Sequence, residues 1–194
     1  MTRDFNYLEA KIHDEAEILP GEILLVDGFL NQGLALDCLD FIAEEFYRQF
    51  GQEKIDLVLT VEASGIAIAV ATARRFGVNA AFAKKTRALN LGPDLHTVSA
   101  HSYTKQEDYT MALAKKILPP GLRVLLVDDF LAHGCAMQAL TELVALAGAE
   151  VVGIGIAVEK SWQGGAERLE RAGYRCHSVV RLKSLLPGAL EFCD

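Results

Sequence analysis

The sequence has little of what marks secreted, membrane-spanning or metal-stapled proteins. Its four cysteines, Cys38, Cys135, Cys176 and Cys193, form no C-x-x-C pair, and no histidine cluster has metal-ligand spacing. A disulfide framework or a zinc site is therefore not expected, and a reducing cytoplasm is the predicted compartment. No apolar run comes near the roughly 20 residues that span a bilayer. The charged start of the chain does not resemble a secretory signal, and no membrane partner is expected.

Positive charge is also scarce. The chain carries a formal net charge of -7 at pH 7, which argues against a broad nucleic-acid-binding surface or an anionic-lipid-binding surface. A small local anion site remains compatible with it. The sequence contains no internal repeat, low-complexity tract or linker, and 194 residues suit one domain with a substantial core. We therefore predict a single domain over residues 1–194.

What the sequence does contain is a regular alternation of apolar runs and helical patterns. Strands are predicted over 23–26, 55–61, 78–83, 98–104, 109–114, 123–128, 151–158 and 174–180, and helices over 4–17, 36–50, 66–76, 137–147 and 166–172. Strands that alternate with helices in this way favour an α/β fold with a parallel sheet covered on both faces.

Two adjacent acids, Asp128 and Asp129, follow the apolar run 124–127. A short loop with Gly134 then leads into a predicted helix, whose first N–H groups are suited to a phosphate. Carboxylates repel phosphate but accept hydrogen bonds from sugar hydroxyls or help to hold magnesium. The pattern thus suits a ribose phosphate; the plainer alternative is that the acids end a strand and cap a helix.

Two other predicted strands end in residues suited to phosphate. Ser64 and Gly65 follow the run 55–61 and precede a helix, so they could offer a hydroxyl and N–H groups. Lys85 follows the run 78–83, and its ammonium suits phosphate oxygens. An ordinary tight turn and a solvated basic loop are the alternatives.

The order and spacing of several motifs resemble the type I phosphoribosyltransferases, and the bacterial xanthine phosphoribosyltransferases in particular. The residues that carry the resemblance are Val26-Asp27-Gly28-Phe29-Leu30-Asn31, Glu62-Ala63-Ser64-Gly65-Ile66-Ala67, Ser102-Tyr103-Thr104-Lys105-Gln106, Asp129-Phe130-Leu131-Ala132 and Gly155-Ile156-Ala157-Val158-Glu159-Lys160-Ser161. The resemblance extends from about residue 8 to about residue 185. It implies the single-domain, parallel-sheet fold of that family, with a small N-terminal hood over the base (about residues 1–35) and a flexible β-hairpin loop.

The resemblance also implies a reaction: transfer of the phosphoribosyl group of PRPP to N9 of xanthine, giving XMP and pyrophosphate in purine salvage. Magnesium would be carried by PRPP rather than held directly by the protein. Asp128 and Asp129 would be the catalytic residues. The purine would be bound by Leu24, Asn31, Phe130 and Lys160, and PRPP by Ser64, Gly65, Lys85, Ala132, His133, Gly134, Cys135 and Ala136.

One departure from the family pattern lies at the predicted phosphate loop. Many type I enzymes have a threonine-rich loop there, whereas residues 132–136 of this chain carry no hydroxyl. Backbone N–H groups can still bind a phosphate. Alternatives stay open: the preferred base could be hypoxanthine, guanine or adenine, or the chain could be a PRPP-sensing regulator without catalysis. The small molecules xanthine and PRPP are the expected partners, and the resemblance implies a homodimer.

Overall fold

A computed structural model describes residues 6–85, 94–102, 107–186 and 189–193. The helices are α1 (Tyr7–Glu15), α2 (Leu36–Phe50), α3 (Gly65–Phe76), α4 (Cys135–Leu146) and α5 (Gly165–Arg171). The strands are β1 (Glu17–Leu19), β2 (Ile23–Leu25), β3 (Leu57–Val61), β4 (Asn79–Ala83), β5 (Leu95–Ser102), β6 (Glu107–Ala114), β7 (Arg123–Leu131), β8 (Glu150–Lys160), β9 (Cys176–Leu186) and β10 (Ala189–Phe192). A π-helical turn covers Asp27–Asn31. None of the helices in these ranges combines the length and apolar character needed to cross a bilayer.

Six strands form one sheet in the order β10-β9-β8-β7-β3-β4. β4, β3, β7, β8 and β9 are parallel, and β10 adds an antiparallel edge. Helices α3, α4 and α5 each connect two parallel strands, as parallel pairing requires. The predicted α/β fold with a parallel sheet is confirmed.

Two apolar clusters cover opposite faces of this sheet. One contains side chains of α1, α2 and α3, and the other contains side chains of α4, α5 and the β5–β6 hairpin. On the first face, α2 lies directly on β8: a Cβ added at Gly155 would be 2.8 Å from the Phe46 ring, and one at Gly153 would be 2.3 Å from the Phe50 ring. These glycines leave the space that the two buried rings occupy.

Most predicted elements lie where the sequence places them, and α2 has the predicted bounds. The strand that carries the acid pair differs, because β7 continues through Asp128 and Asp129 to Leu131. Its neighbour β8 runs to Lys160, so the backbone pairs Phe130 with Val158 and Leu131 with Glu159 beyond the acids. The acids therefore lie within a paired strand.

Parts of the predicted closing hairpin lie outside the described residues. β5 and β6 pair from Leu95↔Ala114 to Ser102↔Glu107, whereas residues 86–93 and 103–106 are not described. The motif 102–106 is therefore described only at Ser102. The assignment of a single domain over 1–194, and of a hood over about 1–35, stays a prediction.

The contact between α2 and β8 predicts that Gly155→Ala destabilises the protein. The added methyl would overlap the buried Phe46 ring, and overpacking a core costs about 1–3 kcal/mol. In a chain of this size each kcal/mol lowers Tm by about 2–4 °C. Gly28→Ala is the matched control, since a Cβ there meets nothing within 4 Å. Thermal denaturation followed by circular dichroism measures both, and equal Tm values for the two variants would contradict the packing.

Candidate active site

The predicted catalytic acids are buried at the carboxyl end of β7. Asp128 and Asp129 are each 7 % exposed, and Asp128 Oδ1 accepts a hydrogen bond from the backbone N–H of Asp129 at 3.1 Å. Burial raises the pKa of Asp128 well above its ordinary value, and the charge of Asp129 raises it further. The pair is therefore poised to accept a partner that offsets negative charge.

The first residue of α3 lies against this acid pair. A Cβ added at Gly65 would be 2.1 Å from Thr60 Oγ1 and 2.6 Å from Asp128 Oδ1. Only glycine therefore leaves room for the Asp128 carboxyl beside the start of α3. Thr60 is fully buried, and its hydroxyl has no hydrogen-bond partner among the described residues. The end of β3 thus packs against the acid pair. The sequence did not indicate that Thr60 takes part in this packing.

The residues predicted for pyrophosphate follow the ends of two neighbouring strands, β3 and β4. Lys85 N–H donates to Glu62 Oε1 at 3.0 Å, and the Glu62–Ala63 peptide is cis. Ser64 is the N-cap residue of α3. Lys85 is exposed, and its charge lowers the pKa of Asp128 against the larger effect of burial. The structure thus places a cation and a helix start on the same side as the acid pair.

The predicted phosphate loop, residues 132–136, follows β7 and includes the first turn of α4. Gly134 is the N-cap residue of α4 with φ 85°, a left-handed conformation that favours glycine. Ala132, His133, Cys135 and Ala136 are half-buried. Burial raises the pKa of the Cys135 thiol, which disfavours the thiolate and agrees with its interpretation as a packing residue.

The turn between β1 and β2 contacts the end of β8 through Glu22. Lys160 Nζ donates to the Glu22 carbonyl oxygen at 2.7 Å, and Trp162 Nε1 donates to Glu22 Oε2 at 2.9 Å. Lys160 is half-buried, and burial lowers its pKa while Glu22 raises it. The structure thus brings the predicted purine-binding lysine to the turn between β1 and β2.

The other predicted purine residues lie on three elements. Leu24 is buried on β2, where it pairs with Ile18 of β1. Asn31 is exposed at the end of the π-helical turn. Phe130 is half-buried and packs against the core cluster of α2 and α3. Their contact with a base stays a prediction.

The structure adds residues that sequence reasoning missed. Thr60 and Glu22 touch predicted site residues. Burial raises the pKa of the Tyr109 phenol of β6, and the charges of Cys135 and Asp128 raise it further. Arg168 of α5 contacts the phosphate loop. The Pro20–Gly21 pair was the signal visible in the sequence, because such a pair marks a turn; in the structure Gly21 and Glu22 have positive φ values.

Comparison with known proteins identifies the family of this chain. The family model of the phosphoribosyl transferase domain matches residues 26–179. Xanthine phosphoribosyltransferase 1 of Clostridium perfringens is 45 % identical over 186 residues, covering 95 % of this chain and 98 % of that protein. Xanthine phosphoribosyltransferase of Pseudomonas entomophila is 43 % identical over 187 residues, covering 96 % and 98 %.

The chain belongs to the phosphoribosyltransferase family. Within that family, the predicted resemblance to the bacterial xanthine phosphoribosyltransferases is confirmed by these two relatives.

Solved structures show the same fold. An APRTase from Giardia lamblia complexed with 9-deazaadenine superposes with a TM-score of 0.77 at 25 % identity, covering 89 % of this chain and 96 % of that one. Adenine phosphoribosyltransferase from Rhodothermus marinus gives a TM-score of 0.74 at 23 % identity, covering 90 % and 98 %. The predicted type I architecture is thereby confirmed, and these distant structures leave the choice of base open.

Burial of the acid pair predicts that Asp128→Asn stabilises the free protein, and more so at high pH. The folded-state pKa of Asp128 is raised, so the wild type loses stability as the pH rises through that value, whereas an amide does not titrate. We expect the Tm advantage of Asp128→Asn to grow as the pH rises above the ordinary Asp pKa of about 4. Thermal denaturation without ligand measures it.

Asp37→Asn is the control of opposite sign. The hydrogen bond from Tyr7 lowers the pKa of Asp37, so its contribution to stability is present at neutral pH and is lost as the pH falls. A Tm advantage of Asp128→Asn that becomes smaller at high pH would contradict the raised pKa of Asp128.

Proposed function

We propose that the protein transfers the phosphoribosyl group of PRPP to N9 of xanthine and releases pyrophosphate. The observation that carries the proposal is the buried acid pair between two strand-to-helix loops, in a chain 45 % identical over nearly its whole length to a xanthine phosphoribosyltransferase. In open α/β sheets, ligands bind at this carboxyl edge of the strands. A ribose with phosphate groups at both ends matches two such loops with acids between them.

The proposed roles follow from the charges at each end of the site. Asp128 and Asp129 accept hydrogen bonds from the ribose hydroxyls and offset positive charge that develops at C1. The loop 132–136 binds the 5′-phosphate, and Ser64, Gly65 and Lys85 bind the pyrophosphate. The purine N9 forms a bond to C1 with inversion as the C1–O bond to pyrophosphate breaks. Positioning of the reactants supplies much of the acceleration.

Magnesium fits this site as a partner of PRPP. Phosphoribosyltransferases generally use Mg²⁺ with PRPP, and the ion supplies charge neutralisation on the pyrophosphate when it is bound. The Asp128 and Asp129 oxygens are ligands of the kind that Mg²⁺ prefers. Burial disfavours the ionised form of Asp128, and a nearby cation would favour it. The residues present therefore suit a metal–PRPP complex.

On the base side, Lys160 is the residue proposed to select a 6-oxopurine. An ammonium group has three donors and no acceptor, so it can donate to the exocyclic oxygen and N7 of xanthine but cannot accept from the amino group of adenine. The Glu22 carbonyl takes one of these donors. Asn31 is proposed to donate to the 2-oxo group, and Phe130 and Leu24 to contact the purine ring.

We further propose a cytoplasmic homodimer. The family resemblance implies the dimer, and Val70 of α3 and Phe82 of the edge strand β4 are 56 % and 39 % exposed, which gives a second copy of the chain apolar surface to cover. The four cysteines are scattered in the sequence with no C-x-x-C pair, which suits a reducing compartment.

The direct test is pyrophosphate release from PRPP and Mg²⁺ with xanthine, hypoxanthine, guanine or adenine. We expect kcat/KM to be highest with xanthine. Highest turnover with another base would keep the fold and the PRPP site and overturn the proposed base recognition. Calorimetric binding of PRPP without turnover of any base would instead identify a sensor.

Lys160→Met tests the proposed choice of base. Loss of a hydrogen bond from a charged group costs about 1.5–3 kcal/mol, so kcat/KM for xanthine should fall roughly 10–100-fold. The methionine keeps the apolar stem, which limits damage to the contact with the hood. Lys183→Met is the matched control, because Lys183 is an exposed lysine that pairs with Glu191 on β10. Equal kcat/KM values for Lys160→Met and the wild type would remove Lys160 from the base site.

A further inference from the structure

The phosphate loop, residues 132–136, lacks hydroxyl side chains. If the loop binds an anion, its backbone N–H groups must supply most of the hydrogen bonds. The direction of these N–H groups therefore decides whether an anion can bind. Backbone peptides carry a carbonyl that repels phosphate as well as an N–H that attracts it. Something in the fold must therefore turn the carbonyls of this loop away from the anion.

Helix α5 lies directly behind the loop. Gly165 is its first residue and is buried, and a Cβ added there would be 2.3 Å from the Ala132 carbonyl oxygen and 3.1 Å from the Gly134 nitrogen. Only a residue without a side chain allows this approach. The carbonyl of Ala132 therefore faces α5 at close range.

The next carbonyl of the loop faces the same helix. Arg168 lies three residues after Gly165, and its Nη1 donates to the His133 carbonyl oxygen at 2.6 Å. The charge of the guanidinium also acts at the start of α4, where burial raises the pKa of Cys135 and the charge of Arg168 lowers it. The arginine thus holds one carbonyl and adds positive charge beside the loop.

These two contacts fix the direction of the loop's N–H groups. In a trans peptide the C=O and the N–H point to opposite sides. Since the Ala132 carbonyl points to Gly165 and the His133 carbonyl points to Arg168, the N–H groups of His133 and Gly134 point away from these two contacts. Gly134 follows in the left-handed conformation, and successive N–H groups around such a residue form an anion-binding concavity.

We propose that Arg168 is a positioning residue for the 5′-phosphate of PRPP, which it serves by holding the His133 carbonyl on the α5 side of the loop. The inference deepens the proposed function and rests on it. In this proposal the backbone N–H groups of the loop, oriented by α5, replace the hydroxyl groups that the loop lacks.

The groove between α4 and α5 is the other place where Arg168 could meet an anion. It measures about 290 Å³ and is bordered by His133, Gly134, Glu142 and Arg168 among others. The His133 carbonyl is held beside Arg168 on this side, and the Glu142 carboxylate adds negative charge, so phosphate is favoured on the opposite side of the loop. Arg168 acts through the loop rather than by binding phosphate in the groove.

The test compares two ligands that occupy opposite ends of the site. Ribose 5-phosphate carries only the 5′-phosphate, whereas pyrophosphate belongs to the other end. Isothermal titration of wild type, Arg168→Gln and Arg168→Lys with each ligand requires no turnover. We expect Arg168→Gln to weaken ribose 5-phosphate roughly 10–100-fold, the effect of losing a charged hydrogen bond, and to leave pyrophosphate unchanged. Arg168→Lys should restore part of the affinity, because a lysine keeps a charged donor on a long side chain, whereas the glutamine amide is neutral and shorter.

Arg171→Gln is the matched control. Arg171 is an exposed arginine of the same helix that pairs with Glu167, so its loss should leave both affinities unchanged. In turnover, Arg168→Gln should raise KM for PRPP and leave KM for xanthine as in the wild type.

Several results would overturn the inference. They are an equal loss for both ligands in Arg168→Gln, an unchanged affinity for ribose 5-phosphate, the same loss in Arg171→Gln, or no binding of ribose 5-phosphate by the wild type. A wild type that binds ribose 5-phosphate but releases no pyrophosphate with any purine would remove the proposed function alone, because the binding comparison still decides the role of Arg168.

Discussion

The packing of two adjacent carboxyls at the end of β7 is the constraint on which the site depends. Asp128 and Asp129 are both buried, and burial together with the charge of Asp129 disfavours the ionised form of Asp128. The surroundings are fitted to this pair: Gly65 leaves space for Asp128, and Lys85 contributes opposing charge. Such an arrangement lowers the stability of the free protein, which is a common feature of sites that must meet a charged transition state.

The parallel topology explains how distant parts of the sequence reach that pair. β3, β4, β7 and β8 are neighbours with the same direction, so the segments that follow them emerge at one edge of the sheet. Glu62 after β3 thereby meets Lys85 after β4, and Lys160 at the end of β8 meets the turn between β1 and β2. Each of these residues lies just after or at the end of its own strand. The parallel sheet brings the strand ends together, with a predicted phosphate-binding segment on each side of the acids.

The sequence predicted the parts of this arrangement that depend on local pattern. Helical periodicity located α2 with its observed bounds, and the motifs identified the acid pair and the loops beside it. The predicted end of this strand at Asp128 was wrong, because pairing with β8 extends β7 to Leu131. Such pairing is not visible in the composition of one strand. The contacts of Glu22 and Arg168 were missed for a related reason: each joins residues far apart in the chain through a backbone carbonyl, which any residue type provides.

On the proposed function, the loop 132–136 changes the side chains of a family motif and keeps its chemistry. A threonine-rich loop donates from hydroxyls whose positions adjust to the anion, whereas a loop of alanine, histidine and glycine depends on rigid N–H groups. Rigidity then has to come from outside the motif, and Gly165 together with Arg168 is placed to supply it. A change in the loop should therefore be read together with α5, because the direction of the loop's peptides is set there. On this proposal, the residues that bind the anion and the residues that orient them lie on different elements.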